Sequence, residues 1–158
     1  MTTMVVVASK HGSTAEIGER IASTLNARGV KAHVKDVSEA GKWLYEADHV
    51  VVGMPVYMQK LLGEGTLFVE SHRTELSGKP LFFFAVGGGP KLDQKILERI
   101  QRFPHREIAY FRGALDAQKL GFVEKLQLKL VKAPQDADFR DWPAIEEWAH
   151  GLLSYGVS

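Results

Sequence analysis

Short apolar runs alternate with longer amphipathic stretches along most of this chain. Met4 to Ala8 is continuously apolar and contains three successive valines, the pattern of a strand buried on both faces. Thr14 to Arg28 repeats differently. Ile17, Ile21 and Leu25 lie four apart with Ala22 beside them, which puts one apolar stripe on a helix. Gly29 is placed to end that helix in a left-handed conformation. Val30 to Val37 alternates as a second strand, and His49 to Gly53 encloses Val50, Val51 and Val52 as a third. Pro80 to Val86, with Leu81, Phe82, Phe83 and Phe84, reads as a central fourth strand, and Ile108 to Leu115 as a fifth. The stretches between predict helices near residues 38–46, 60–75, 91–102, 118–132 and 143–155. Asp141 and Pro143 supply a start for the last of these.

Strand–helix alternation of this kind predicts an α/β fold, a parallel sheet with helices on both faces. No internal repeat or long linker divides the 158 residues, so one domain over 1–158 is expected. Composition narrows the function more than the fold. With 45% hydrophobic and 25% charged residues the chain is neither disordered nor fibrous. A formal net charge of +1 suggests no nucleic-acid partner. The absence of cysteine excludes disulfides, thiolate nucleophiles and iron–sulfur ligation by this chain. No secretory signal is visible before the first strand, and no apolar run approaches the roughly 20 residues that span a bilayer, so a cytoplasmic location is expected.

In an open, doubly wound sheet, ligands bind beyond the carboxyl ends of the strands where strand order reverses. The loops after the first, third and fourth strands therefore hold the candidate chemistry: Ser9 to Thr14, Met54 to Gln59, and Gly87 to Lys91. The first reads Ser9-Lys10-His11-Gly12-Ser13-Thr14 and runs directly into a helix. Unpaired amides, the positive end of the helix dipole and several hydroxyls suit that turn to a phosphate, and Lys10 or His11 can add charge. Ser13 or Thr14 acting only as a helix cap is the plainer alternative.

The segment Ala8-Ser9-Lys10-His11-Gly12-Ser13-Thr14-Ala15-Glu16-Ile17-Gly18 resembles the phosphate-loop signature of flavodoxins, and the order of strands along the chain also fits that family. More narrowly, several features resemble the flavodoxin-domain branch containing the menaquinone-dependent protoporphyrinogen oxidases. These are Val51-Val52-Gly53 before the second loop, Gly113-Ala114-Leu115 after the fifth strand, the lysine- and leucine-rich stretch Lys125 to Lys132, and Asp141-Trp142. The resemblance implies a flavodoxin-like three-layer sandwich with a five-stranded parallel sheet in the order 2-1-3-4-5. It implies flavin mononucleotide (FMN) as cofactor, its phosphate held by Ser9, Lys10, His11, Gly12, Ser13 and Thr14. Met54, Pro55, Val56, Tyr57 and Met58 then line one side of the isoalloxazine ring, and Val86, Gly87, Gly88, Gly89 and Pro90 the other. Tyr57 is the expected stacking residue, with a partly exposed loop aromatic as its alternative. The three glycines allow close backbone approach to the ring, or form a simple flexible turn.

Two departures shape the expected activity. The oxidase branch carries a longer basic segment after the fourth strand, where this chain has three glycines and Pro90. Electron-carrying flavodoxins are acidic and often have a glycine in the second loop, where this chain has Pro55-Val56-Tyr57. The expected function is thus an FMN-dependent oxidoreductase taking electrons from a redox partner or small-molecule donor, with quinone as a candidate acceptor. An electron carrier without its own substrate and a flavin-free interaction domain are the alternatives. The segment 118–132 would set Lys125, Lys129 and Lys132 beside an apolar face. It suits either a peripheral membrane contact or, the preferred reading, a helix packed on the sheet.

Other chemistries are not supported. Ser77-Gly78-Lys79-Pro80 lacks the upstream glycine and following hydroxyl of a nucleotide-binding P-loop. No G-x-S-x-G elbow is present, and the six histidines show no metal-ligand spacing. A phospho-receiver would need acidic residues where this chain has Ser9 and Met54.

Overall fold

In the computed structural model, residues 2–8, 12–57, 60–61, 63–115 and 137–156 are described. Five parallel strands form the sheet: β1 (Thr2–Val7), β2 (Lys31–Asp36), β3 (His49–Tyr57), β5 (Leu81–Gly87) and β6 (Glu107–Arg112). They lie in the spatial order β2-β1-β3-β5-β6, the flavodoxin-like 2-1-3-4-5 arrangement when only the parallel strands are counted. The short β4 (Lys60–Leu61) folds back antiparallel on the far end of β3, pairing Val56 with Leu61 and Tyr57 with Lys60.

Strict alternation of strand side chains divides the core into two layers. Val5, Val7, Val51, Phe82, Phe84 and Phe111 face α1 (Ser13–Ala27) and α6 (Trp142–Gly151), which contribute Ile17, Ile21, Leu25, Ile145 and Ala149. Met4, Val6, Val50, Val52, Met54, Phe83 and Ala85 face the opposite layer. This layer contains α2 (Val37–Ala40), α3 (Glu64–Ser71), α4 (Arg73–Leu76) and α5 (Gln94–Gln101). Each of Phe82, Phe83 and Phe84 is fully buried, which explains why β5 reads in sequence as the most apolar run.

The helix boundaries have local causes. Gly29 takes φ +85° just beyond α1, as its position in the sequence predicts. Asp36, Asp93 and Asp141 cap α2, α5 and α6 by accepting from backbone amides. The single helix expected over 38–46 is α2 followed by a 3₁₀ turn over Gly41–Glu46, and that over 60–75 is α3 and α4. The helix expected over 118–132 lies outside the described residues.

Two strand expectations are corrected. The third strand does not end at Gly53 but continues to Tyr57, because its outer half pairs with β5 through Pro55 and with β4 beyond it. The fifth strand stops at Arg112. After Gly113 the chain turns into a separate antiparallel ribbon, β7 (Ala114–Leu115) with β8 (Ala137–Asp138). The break falls where the backbone passes α1: a Cβ at position 113 would lie 2.7 Å from the Ser13 hydroxyl oxygen and 2.9 Å from Val86.

Candidate functional site

The carboxyl ends of β1, β3 and β5 open onto one cleft at the strand-order reversal. Its floor begins at α1. Gly12 has φ +85°, a left-handed conformation that lets the chain leave β1 and enter the helix at Ser13. The N-cap residue here is Gly12, which has no side chain to cap with, in contrast to the aspartates that cap α2, α5 and α6. Ser13 and Thr14 line the cleft, with Thr14 almost wholly buried. The start of a fifteen-residue helix and two hydroxyl-bearing residues thus lie at the floor of the cleft, a donor set suited to an anion. Ser13 also has a structural task, because its Oγ accepts the Ala114 amide at 3.0 Å.

The side walls are apolar and built close to the backbone. Pro55, Val56 and Tyr57 form one, held by the continuation of β3 and its pairing with β4. Val86, Gly87 and Gly88 form the other. A Cβ at Gly87 would meet the Tyr110 hydroxyl at 2.9 Å and Val56 at 3.3 Å, so glycine is needed for the walls to approach. At Gly88 an added Cβ meets nothing within 4 Å; that side of the loop is open. Apolar walls over a floor of helix amides and hydroxyls suit a planar ring system bearing a phosphate.

Not every residue expected here faces the cleft. Met54 is fully buried beneath α3, where a Cβ on Gly65 would come within 2.7 Å of its Cγ. Because β3 continues past Gly53, alternation sends Met54 to the face opposite Gly53, so its side chain is core and not wall. Gly89 and Pro90 lie beyond the wall formed by Val86 to Gly88. Ser9, Lys10, His11 and Met58 lie outside the described residues. Conversely, Gly113 and Ala114 line the cleft, and Tyr110 and Arg112 support its glycine wall, four residues with no site role expected from the sequence. A tyrosine and an arginine two apart at the end of a strand, on one face, were the available signal.

A charged cluster braces the start of α1. Arg140 pairs with Glu16 in the first turn and with Asp138 of β8 at 2.7 Å. The guanidinium holds the Asp138 carboxyl down to about 2, and the two carboxylates push Arg140 further up. Trp142 stacks against both Arg20 and Arg140, 4.4 and 4.8 Å from its ring centroid. Among the described residues no group of histidines, aspartates and glutamates is arranged to hold a metal, and no helix is long and apolar enough to cross a membrane.

A parallel 2-1-3-4-5 sheet with a glycine-led helix at its switch point is the flavodoxin-like arrangement. The chain belongs to the flavodoxin domain family, whose model matches residues 4–141, and proteins of that family bind flavin, typically FMN. It is similar to protoporphyrinogen IX dehydrogenase [quinone] of Escherichia coli K12, at 21% identity over 96% of this chain and 94% of the relative. Among solved structures it is similar to a short-chain flavodoxin associated with a non-canonical PDU bacterial microcompartment. That match has a TM-score of 0.65, 17% identity and 98% coverage of both chains. Flavodoxin 2 of Bacillus cereus matches with a TM-score of 0.63 and 15% identity, over 98% of this chain and 99% of that one.

Proposed function

We propose that this chain binds FMN in the cleft at the carboxyl end of its sheet and uses it to oxidise a small-molecule donor, with quinone as acceptor. The observation that carries the reading is that the glycine-led N-terminus of α1, with Ser13 and Thr14, meets two close apolar walls in one cleft. The Ser13 and Thr14 hydroxyls and the α1 amides would hold the phosphate. Pro55, Val56 and Tyr57 on one side, with Val86 to Gly88 on the other, would supply the ring's walls and exclude water from it. When bound, FMN itself supplies hydride and electron exchange, and the protein contributes placement and electrostatics.

Donor and acceptor are assigned by likeness to the Escherichia coli relative, whose name specifies protoporphyrinogen IX and quinone. The outer end of β3 favours this over a simple carrier, since Pro55-Val56-Tyr57 holds no glycine whose peptide could turn with redox state.

The absorption spectrum of the purified protein, followed by release and identification of the bound flavin, tests the first half of the proposal. FMN should bind far more tightly than riboflavin, which lacks the phosphate. Ser13→Asp should raise the FMN dissociation constant on the order of 100-fold through ~3 kcal/mol of lost hydrogen bonding and like-charge repulsion. Riboflavin binding should change little. Protein that stays colourless in excess FMN, or that binds both flavins equally, refutes the placement. Reoxidation of the reduced protein by a soluble menaquinone analogue tests the second half; failure to reoxidise leaves the carrier reading in its place.

A further inference from the structure

We propose that Tyr110 and Arg112 are positioning residues that pre-form the glycine wall, and that the fixed charge of Arg112 raises the reduction potential of flavin bound beside it. The inference rests on the FMN reading above and goes beyond it to the energetics of the cofactor. Three successive carbonyls, of Gly87, Gly88 and Gly89, are each taken by the end of β6. The Gly113 amide donates to Gly87 at 2.9 Å. Arg112 donates to Gly88 from Nη2 at 2.9 Å and from Nε at 3.3 Å. The Tyr110 hydroxyl donates to Gly89 at 2.7 Å.

Three consecutive glycines are the backbone most costly to order, so a wall that includes Gly87 and Gly88 and runs on into Gly89 needs external ties if it is to exist before the ligand arrives. The ties come from one strand because side chains two apart on β6 share a face. Burial pushes the Tyr110 phenol up, which keeps it protonated and able to donate. Arg112 is fixed from its other side, its guanidinium carbon 3.8 Å from the Phe139 ring centroid. No carboxylate pairs with Arg112 among the described residues, and its charge lies beside a carbonyl of the cleft wall.

A flavin that accepts two electrons and one proton becomes an anion. A fixed cation at the wall therefore stabilises the reduced form more than the neutral oxidised ring, and the potential rises. The sign is opposite to that expected beside acidic side chains.

The test uses the FMN-loaded full chain. Potentials are measured by equilibration with a reference dye in wild type, Arg112→Gln, Arg112→Lys and Tyr110→Phe. Arg112→Gln keeps a donor for the Gly88 carbonyl but removes the charge. It should weaken the reduced form about 10-fold more than the oxidised form, lowering the two-electron potential by about 30 mV. Arg112→Lys should restore most of that shift, and the difference should shrink in high salt. Tyr110→Phe should weaken oxidised FMN with little change in potential. An Arg112→Gln potential within about 5 mV of wild type overturns the inference while leaving FMN binding intact. A wild-type protein that takes up no FMN overturns the underlying reading as well.

Discussion

Gly53→Ala adds one methyl group where β3 and β5 pack most closely. Gly53 is paired in register with Phe84, and an ideal Cβ there would lie 2.2, 2.6 and 2.8 Å from three carbons of the Phe84 ring. The ring edge must retreat by roughly 1 Å to regain ordinary contact. It has nowhere to go: Phe84 is fully buried, with Phe111 and Trp148 both 6.2 Å away by ring centroids. Overpacking of this kind costs about 1–3 kcal/mol. Removing a glycine from the unfolded chain returns about 0.4–1 kcal/mol, so steric strain wins by ~1–2 kcal/mol. For a chain of this size that lowers the melting temperature by about 2–8 °C. Urea unfolding of flavin-free protein, followed by tryptophan fluorescence, measures the difference directly. Gly88→Ala, whose Cβ meets open space, serves as the control and should be near neutral. Phe84→Leu should relieve the clash, so the double variant with Gly53→Ala should be about 1 kcal/mol more stable than the two single losses predict. Gly53→Ala stability within about 0.3 kcal/mol of wild type would show that the ring does not press on this strand as described.

Two further predictions concern pH and capping. His49 is buried, its Nδ1 has no hydrogen-bond partner among the described residues, and burial lowers its pKa from 6.5. The unfolded chain therefore binds the proton first as pH falls: this contribution to stability is fully present above 6.5 and is lost below it. Chemical denaturation between pH 5 and 7.5 should show a steeper loss in wild type than in His49→Gln; equal slopes would refute it. Asp93 accepts from the Lys95 and Ile96 amides, so Asp93→Ala should cost about 1 kcal/mol in the same assay, and Asp93→Ser should recover most of it.

The parallel sheet was legible because its signal is long and repeated. Val5 to Val7, Val50 to Val52 and Phe82 to Phe84 are uninterrupted apolar runs, and only a sheet covered on both faces buries them all. The ends of strands were less legible. Met54 to Gln59 reads as a loop in sequence, yet Met54 to Tyr57 lie in β3, held there by pairing to β4 and β5. That misplaced end is why Met54 reads as wall when alternation assigns it to the core. Ser13 and Thr14 were recognisable from composition and position, but the use of Ser13 Oγ by Ala114 depends on a contact across 101 positions in the chain. Tyr110 and Arg112 were missed for the same reason: their partners are backbone carbonyls more than twenty positions earlier, and a carbonyl leaves no mark in a sequence.

The order in which the chain is made follows from the placement of α6. Its Ile145, Ala149 and the following Leu152 close the same face of the sheet as α1, yet they come after every strand of the parallel sheet. At about 5–20 residues per second, the ribosome finishes β6 several seconds before the residues that cover Phe84 and Phe111 are available. During that interval a nascent chain carries an open aromatic surface, and Glu16 at the mouth of α1 still awaits Arg140. Nascent chains stalled before residue 141 should therefore be the species most in need of a chaperone.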